Sequence, residues 1–205
     1  MKNYILIFSI ITGLLFLNSC KKDDDDVQPT PTTIPTSLEL SLKDNLGNNV
    51  SGASVKLYSS ESDLENGTNQ IGSTQTSDAS GKVKFNELSN IKYYWLAEKD
   101  CQNNVNGAVT TTSVLTANTV NSLNVILTTT GTLRFVCTST NPYRIFINGT
   151  AAFDMDGGTT RNLFYAPTGS YTIRFLQLSG FVITPTDQTY SGNVTCGQTL
   201  TTTFP

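Results

Sequence analysis

Leucines at 38, 40 and 42 alternate with Glu39, Ser41 and Lys43, the spacing of a strand that buries one face. The same period of two returns at Ala53, Val55 and Leu57, at Val83 and Phe85, and at Leu123, Val125 and Leu127. Further along it returns at Leu133 and Phe135, at Tyr143, Ile145 and Ile147, and at Tyr171, Ile173 and Phe175. Turn-forming residues separate these runs, among them Asn45 to Asn49, Asp78 to Gly81, Asn148-Gly149 and Thr168-Gly169-Ser170. No longer window places its apolar residues at helical spacing. The pattern predicts an all-β protein of two tandem small antiparallel β-sandwiches, with helix nearly absent.

Charge divides the chain in two. From Ser37 to Thr130 every cation is Lys, whereas from Gly131 onward every cation is Arg. Thr128-Thr129-Thr130-Gly131 lies between two strand-like runs at that switch, so the expected modules are 37–129 and 130–205. Each is near the lower limit for an independent core. A formal net charge of −3, with no basic cluster beyond Lys21 and Lys22, gives nucleic acid nothing to bind.

The first 36 residues read as an address. Lys2 precedes an apolar run from Ile5 to Leu17, too short to span a bilayer and arranged like a secretory signal. Leu17-Asn18-Ser19-Cys20 resembles the lipobox of bacterial lipoproteins, although Asn18 stands where a small or aliphatic residue is usual. The resemblance implies cleavage after residue 19 and lipidation of Cys20, with two or three acyl chains anchoring the mature protein permanently. Lys21-Lys22 and the four aspartates Asp23 to Asp26 resemble the export signal of surface-exposed lipoproteins of Bacteroidetes-type bacteria. This implies display outside the outer membrane. Pro29, Pro31 and Pro35 among threonines favour an extended spacer, completing a lipidated linker over 20–36.

Asp44, Gly47, Val50, Gly52-Ala53, Val55 and Leu57, followed by Thr76, Asp78, Gly81, Val83, Phe85 and Leu88, resemble the carboxypeptidase regulatory-like, or transthyretin-like, β-sandwich. Asn49 replaces the proline common before Val50. The resemblance covers about 60 residues and implies a non-catalytic tethering or ligand-contacting module. In the strand after it, Tyr93, Trp95 and Ala97 are expected inside, leaving Tyr94 as an exposed aromatic able to stack on a sugar or a partner. Gly131-Thr132-Leu133, Ile145 to Gly149, Leu163 to Gly169, Tyr171-Thr172-Ile173 and Gly180-Phe181 are similar to PEGA-type surface modules, without that family's four-residue core. This implies a second small sandwich with a binding or spacing role.

Three cysteines remain in an oxidising compartment. Cys137 ends the first strand of the second module and Cys196 precedes the last; if those strands pair antiparallel, the two thiols meet in a disulfide. Cys101 is then either a buried thiol or an alternative partner for Cys137. The chain has no histidine and no Cys-x-x-Cys, which removes His-dependent triads and zinc motifs. Asp154-Met155-Asp156-Gly157-Gly158 has part of a calcium loop but lacks its other ligands, and reads as a hairpin. Glu61, Asp63 and Glu65 read as a solvated charge run. No catalytic residue, metal or cofactor is expected. The sequence points to a lipid-anchored, non-catalytic binding or adhesive scaffold whose partners are the membrane and an unidentified protein or glycan. One alternative is a carbohydrate-binding accessory of an outer-membrane glycan-uptake system, with Tyr94 and loop aromatics such as Phe153 or Tyr165 as its platform; a third reading is a hydrolase, which a carboxylate pair facing a cleft would favour.

Overall fold

The structure is a computed structural model and describes residues 34–205; the signal, Cys20 and most of the linker lie outside the described residues. Leu38, Leu40 and Leu42 are fully buried on one face of β1 (Ser37–Asp44), as their alternation requires. After it come β2 (Ser54–Tyr58), β3 (Ile71–Thr76), β4 (Lys82–Phe85), β5 (Tyr94–Lys99), the two-residue β6 (Gln102–Asn103) and the long β7 (Val120–Cys137). They are hydrogen-bonded in the order β3-β2-β5-β6-β7-β1-β4, with β7 at the junction of the two wings. The wings enclose one core, in which the β1 leucines meet Val55, Leu57, Trp95 and Ala97. Burying each such side chain contributes about 1.5–3 kcal/mol. Tyr93 and Trp95 point inward, as expected.

The second core is separate. Its strands, after β7, are β8 (Tyr143–Ile147), β9 (Thr150–Met155), β10 (Thr160–Pro167), β11 (Gly169–Gln177), β12 (Asp187–Val194) and β13 (Thr199–Phe204). The core lies between a sheet ordered β10-β7-β13 and another ordered β12-β11-β8-β9. Phe175 stacks on Phe204 at 3.9 Å between ring centres, and the edge of Tyr143 meets Phe204 at 5.2 Å. Asn148 and Gly149, with φ of 49° and 83°, form the tight β8–β9 hairpin that the sequence signalled. The described chain is thus all-β apart from one short helix.

That helix, α1 (Glu61–Asn66), occupies the segment read as a solvated charge run. Ser60 caps it by accepting from the Asp63 backbone N–H, and Gly67 ends it in the left-handed conformation at φ 63°. The residues read as a junction, Thr128 to Gly131, are the middle of one strand. β7 runs without interruption from the first core into the second, because its threonines are good strand formers and Gly131 serves packing, not a turn.

The expected Cys137–Cys196 disulfide is corrected: Cys196 is bonded to Cys101, and Cys137 is a free, buried thiol. The reason is strand direction. β13 pairs with β7 parallel, Thr199 opposite Thr132 and Phe204 opposite Cys137, so Cys196 lies at the other end of the strand from Cys137. It falls instead beside the β5–β6 turn that carries Cys101.

Strand direction also gives the molecule two ends. β1 is parallel to β7, Ser37 opposite Val120 and Asp44 opposite Leu127, so the chain enters at the end of the first sandwich away from the second. β7 continues for about 60 Å at the rise of an extended strand. Its far end is surrounded by the 138–142, 156–159 and 178–186 loops. In the last of these, Val182 and Ile183 are 99% and 88% exposed.

Candidate functional site: the joint between the sandwiches

The two sandwiches are locked together where β7 passes between them. Asp100, at φ 52°, turns the chain out of β5 and presents the Cys101 carbonyl, which accepts from Thr130 N–H at 2.8 Å and Thr130 Oγ1 at 3.1 Å. From the other side, Gly197 N–H donates to the Thr130 carbonyl at 2.9 Å. The Cys101–Cys196 disulfide ties these two turns covalently across a sequence separation of 95. Gly131 is required by closeness: a Cβ there would lie 2.5 Å from the Gln198 carbonyl oxygen and 2.7 Å from that of Thr195. Thr129 and Thr168 hydroxyls add a contact at 2.7 Å.

Tyr165 closes the joint. A bulge between Leu163 and Ala166 breaks the β10 register against β7 and leaves Tyr165 at φ 58°, a conformation side-chain-bearing residues rarely adopt. Two first-module residues hold it: Asn106 Nδ2 donates to its carbonyl at 2.8 Å, and its hydroxyl donates to Glu98 Oε1 at 3.3 Å. Burial, then the Glu98 charge and hydrogen bond, raise the phenol above its ordinary pKa, which keeps the donating proton in place.

Tyr165 lines two hollows. One, of about 330 Å³, is lined by Glu98, Asp100, Gln102, Thr132 and Phe164 together with Tyr165. The other, of about 280 Å³, has Glu61 and Glu65, one helical turn apart on α1, over Leu64, Leu96 and Val105. Phe164 is 67% exposed beside the first hollow. These groups offer acceptors, amides and aromatic faces. Two of those lining the first hollow, Glu98 and Asp100, are carboxylates.

The sequence candidates are scattered by comparison. Tyr94 is half-buried, opposite Tyr58 and bridged to Thr110, and lines neither hollow. Phe153 is covered, with the Arg161 guanidinium 4.0 Å over its ring and Phe135 against it edge-on at 5.3 Å. Tyr165 alone of the three is at the joint. Cys137 sits at the far end, its Sγ near the Pro205 carbonyl at 3.6 Å. Asp154 is engaged by Arg144 through two contacts of 2.8 and 2.9 Å. Among the described residues no three His, Cys, Asp or Glu side chains gather around a common ion position.

Glu98, Asn106 and Phe164 were not singled out from sequence. A signal was present: Phe164 and Tyr165 are adjacent aromatics in a strand, so one must face outward unless a bulge intervenes. Both happen here.

No family model and no curated protein matches the chain. Solved structures do. A streptococcal ancillary pilin is 14% identical, with 84% of this chain and 63% of that one covered at a TM-score of 0.40. GBS52, the minor pilin of Streptococcus agalactiae, is 14% identical over 82% of this chain and 94% of that one, with a TM-score of 0.31. BcpA, the major pilin subunit of Bacillus cereus, is 10% identical over 78% and 68%, with a TM-score of 0.32. The chain therefore spans just under two thirds of the ancillary pilin it matches. At such identities and scores these likenesses carry no argument about what this chain binds or builds.

Proposed function

We propose that this chain is a lipid-anchored, non-catalytic binding or adhesive protein displayed outside an outer membrane, with its binding surface at the joint. In this reading residues 1–19 are a cleaved signal, 20–36 a lipidated linker on Cys20, and 37–129 and 130–205 two modules joined through β7. The observation that carries it is the direction of entry. β1 begins opposite Val120, at the end of β7 remote from Cys137, so a tether preceding Ser37 leaves the joint and the second module pointing away from the membrane. The binding role is supported by the aromatic and hydrogen-bonding groups that the joint gathers.

The test is acyl labelling combined with protease shaving of intact cells. The expected result is an acylated peptide beginning at Cys20 and loss of the full-length band on protease treatment. A free Cys20 thiol, or a chain cut only after lysis, would contradict the proposal. A second reading, a glycan-binding accessory of an uptake system, is favoured by the adjacent exposed aromatics Phe164 and Tyr165.

A further inference from the structure

We infer that the hollow lined by both Phe164 and Tyr165 is a saccharide subsite selective for uncharged sugars. This deepens the glycan reading above and rests on it, but is independent of lipidation at Cys20.

The lining has the two parts a pyranose ring needs. Phe164 presents a largely exposed ring face, on which the C–H face of a sugar can exclude water. In the same lining, Asp100, Gln102 and Thr132 provide a carboxylate, an amide and a hydroxyl for the equatorial hydroxyls at the ring's edge. Glu98 holds Tyr165 through one carboxylate oxygen and carries a second for the ligand. The volume, about 330 Å³, falls at the lower end of small-molecule sites, room for a sugar residue or two of a chain that continues into solvent.

Charge sets the selectivity. Glu98 and Asp100 line the hollow, no lysine or arginine does, and Glu61 and Glu65 line the other hollow that Tyr165 borders. A uronate, sialate or phosphate would have to approach two lining carboxylates with no cation in the lining itself, Lys99 and Arg134 standing outside it, which costs affinity. An uncharged ring does not. Acceptors also outnumber donors here, which suits a ligand made of hydroxyl donors.

The site is already in its bound shape. The disulfide fixes the Asp100–Cys101 turn against the second sandwich, and Asn106 and Glu98 hold Tyr165 in its left-handed conformation. Little ordering is left for the ligand to impose. Backbone conformations of this sort persist where neighbouring contacts over-determine them, and they cluster at ligand sites.

The experiment is a binding titration of the detergent-purified full chain against uncharged oligosaccharides and uronate-containing ones, with Phe164→Ala, Asp100→Asn and Tyr94→Ala compared. Binding of an uncharged oligosaccharide is expected, changing little with salt, and weakened about tenfold or more in Phe164→Ala. Asp100→Asn weakens it and narrows the discrimination against uronates; Tyr94→Ala leaves it unchanged. An unshifted thermal midpoint in Phe164→Ala excludes unfolding as the cause. No binding to any uncharged oligosaccharide, preference for the uronates, or equal binding by Phe164→Ala overturns the proposal. Equal binding by Phe164→Ala would keep the glycan reading and lose only this subsite, whereas an acylated, protease-accessible chain that binds no oligosaccharide would lose the glycan reading and keep the anchored-protein one.

Discussion

Gly131 shows how a residue read one way from sequence does another job in three dimensions. It looked like a break between strands, yet it lies mid-strand because two carbonyl oxygens approach to within 2.7 Å of where a Cβ would be. Both are backbone atoms, which cannot swing aside. Gly131→Ala is expected to lower stability by about 1–3 kcal/mol in denaturant unfolding, whereas Gly149→Ala meets nothing nearby and is opposed only by its positive φ. Ser77 is a second dependence: its buried hydroxyl accepts from Ala53 N–H at 2.9 Å and donates to the Val50 carbonyl at 2.7 Å. Ser77→Ala leaves both groups unpaired, at a cost of about 1–3 kcal/mol.

Acid acts at the same scale. The Asn48 side chain, and then backbone N–H groups of the loop, lower the Asp44 pKa; Ser60 and Asn69 lower that of Asp63; the Lys82 N–H and Ser80 lower that of Asp78. A carboxylate with a depressed folded pKa supports the fold above its unfolded pKa and loses that support as pH falls through the folded value. With no histidine to titrate in between, the thermal midpoint should be flat from about pH 5 to 8 and fall below about pH 4. A midpoint that instead changed steadily between pH 6 and 8 would count against this assignment.

Among the elements, strands were legible wherever apolar and polar residues alternate. β1, β2 and β5 were found with the correct inward faces, since one-residue periodicity decides burial locally. Pairing direction was not legible, because it depends on where a distant strand lies, and that led to the wrong cysteine partner. α1 was hidden by its charge, although Ser60, Asp63 and Gly67 spell its two caps. At the joint, Tyr165 was readable as an aromatic candidate, but its bulge and its Asn106 and Glu98 partners were not, since each contact crosses more than 55 residues of sequence.

The element-scale prediction concerns the disulfide. Cross-linking positions 95 apart contributes about 4–5 kcal/mol by a polymer loop-closure argument. The Cys101→Ser, Cys196→Ser double variant should unfold at correspondingly lower denaturant while keeping a strand-rich circular dichroism spectrum, because neither core contains those residues. Loss of that spectrum in buffer would show that the cross-link is needed to fold, not merely to hold the joint.

At the scale of the molecule, a tether before Ser37 and a load on the second sandwich pull β1 and β7 in opposite directions. The two strands are parallel and in register over eight pairs, so the load shears all of them together instead of opening them one at a time. If this clamp breaks, unravelling stops at Cys101 in the oxidised protein, because the disulfide passes the load directly to Cys196. Reduction lets it continue toward Thr129. In single-molecule pulling from the N-terminus and the 178–186 loop, the reduced protein should release roughly 28 further residues, an extension of about 100 Å. Equal extensions in the two redox states would mean that the force takes another path.

The proposed function depends on the tether proposed at Cys20. The most direct measurement is the partition of the full chain between membrane and soluble fractions, wild type against Cys20→Ala. The wild type is expected to sediment with membranes through high-salt washing and the variant is not. Equal retention of the two would contradict the tether at Cys20.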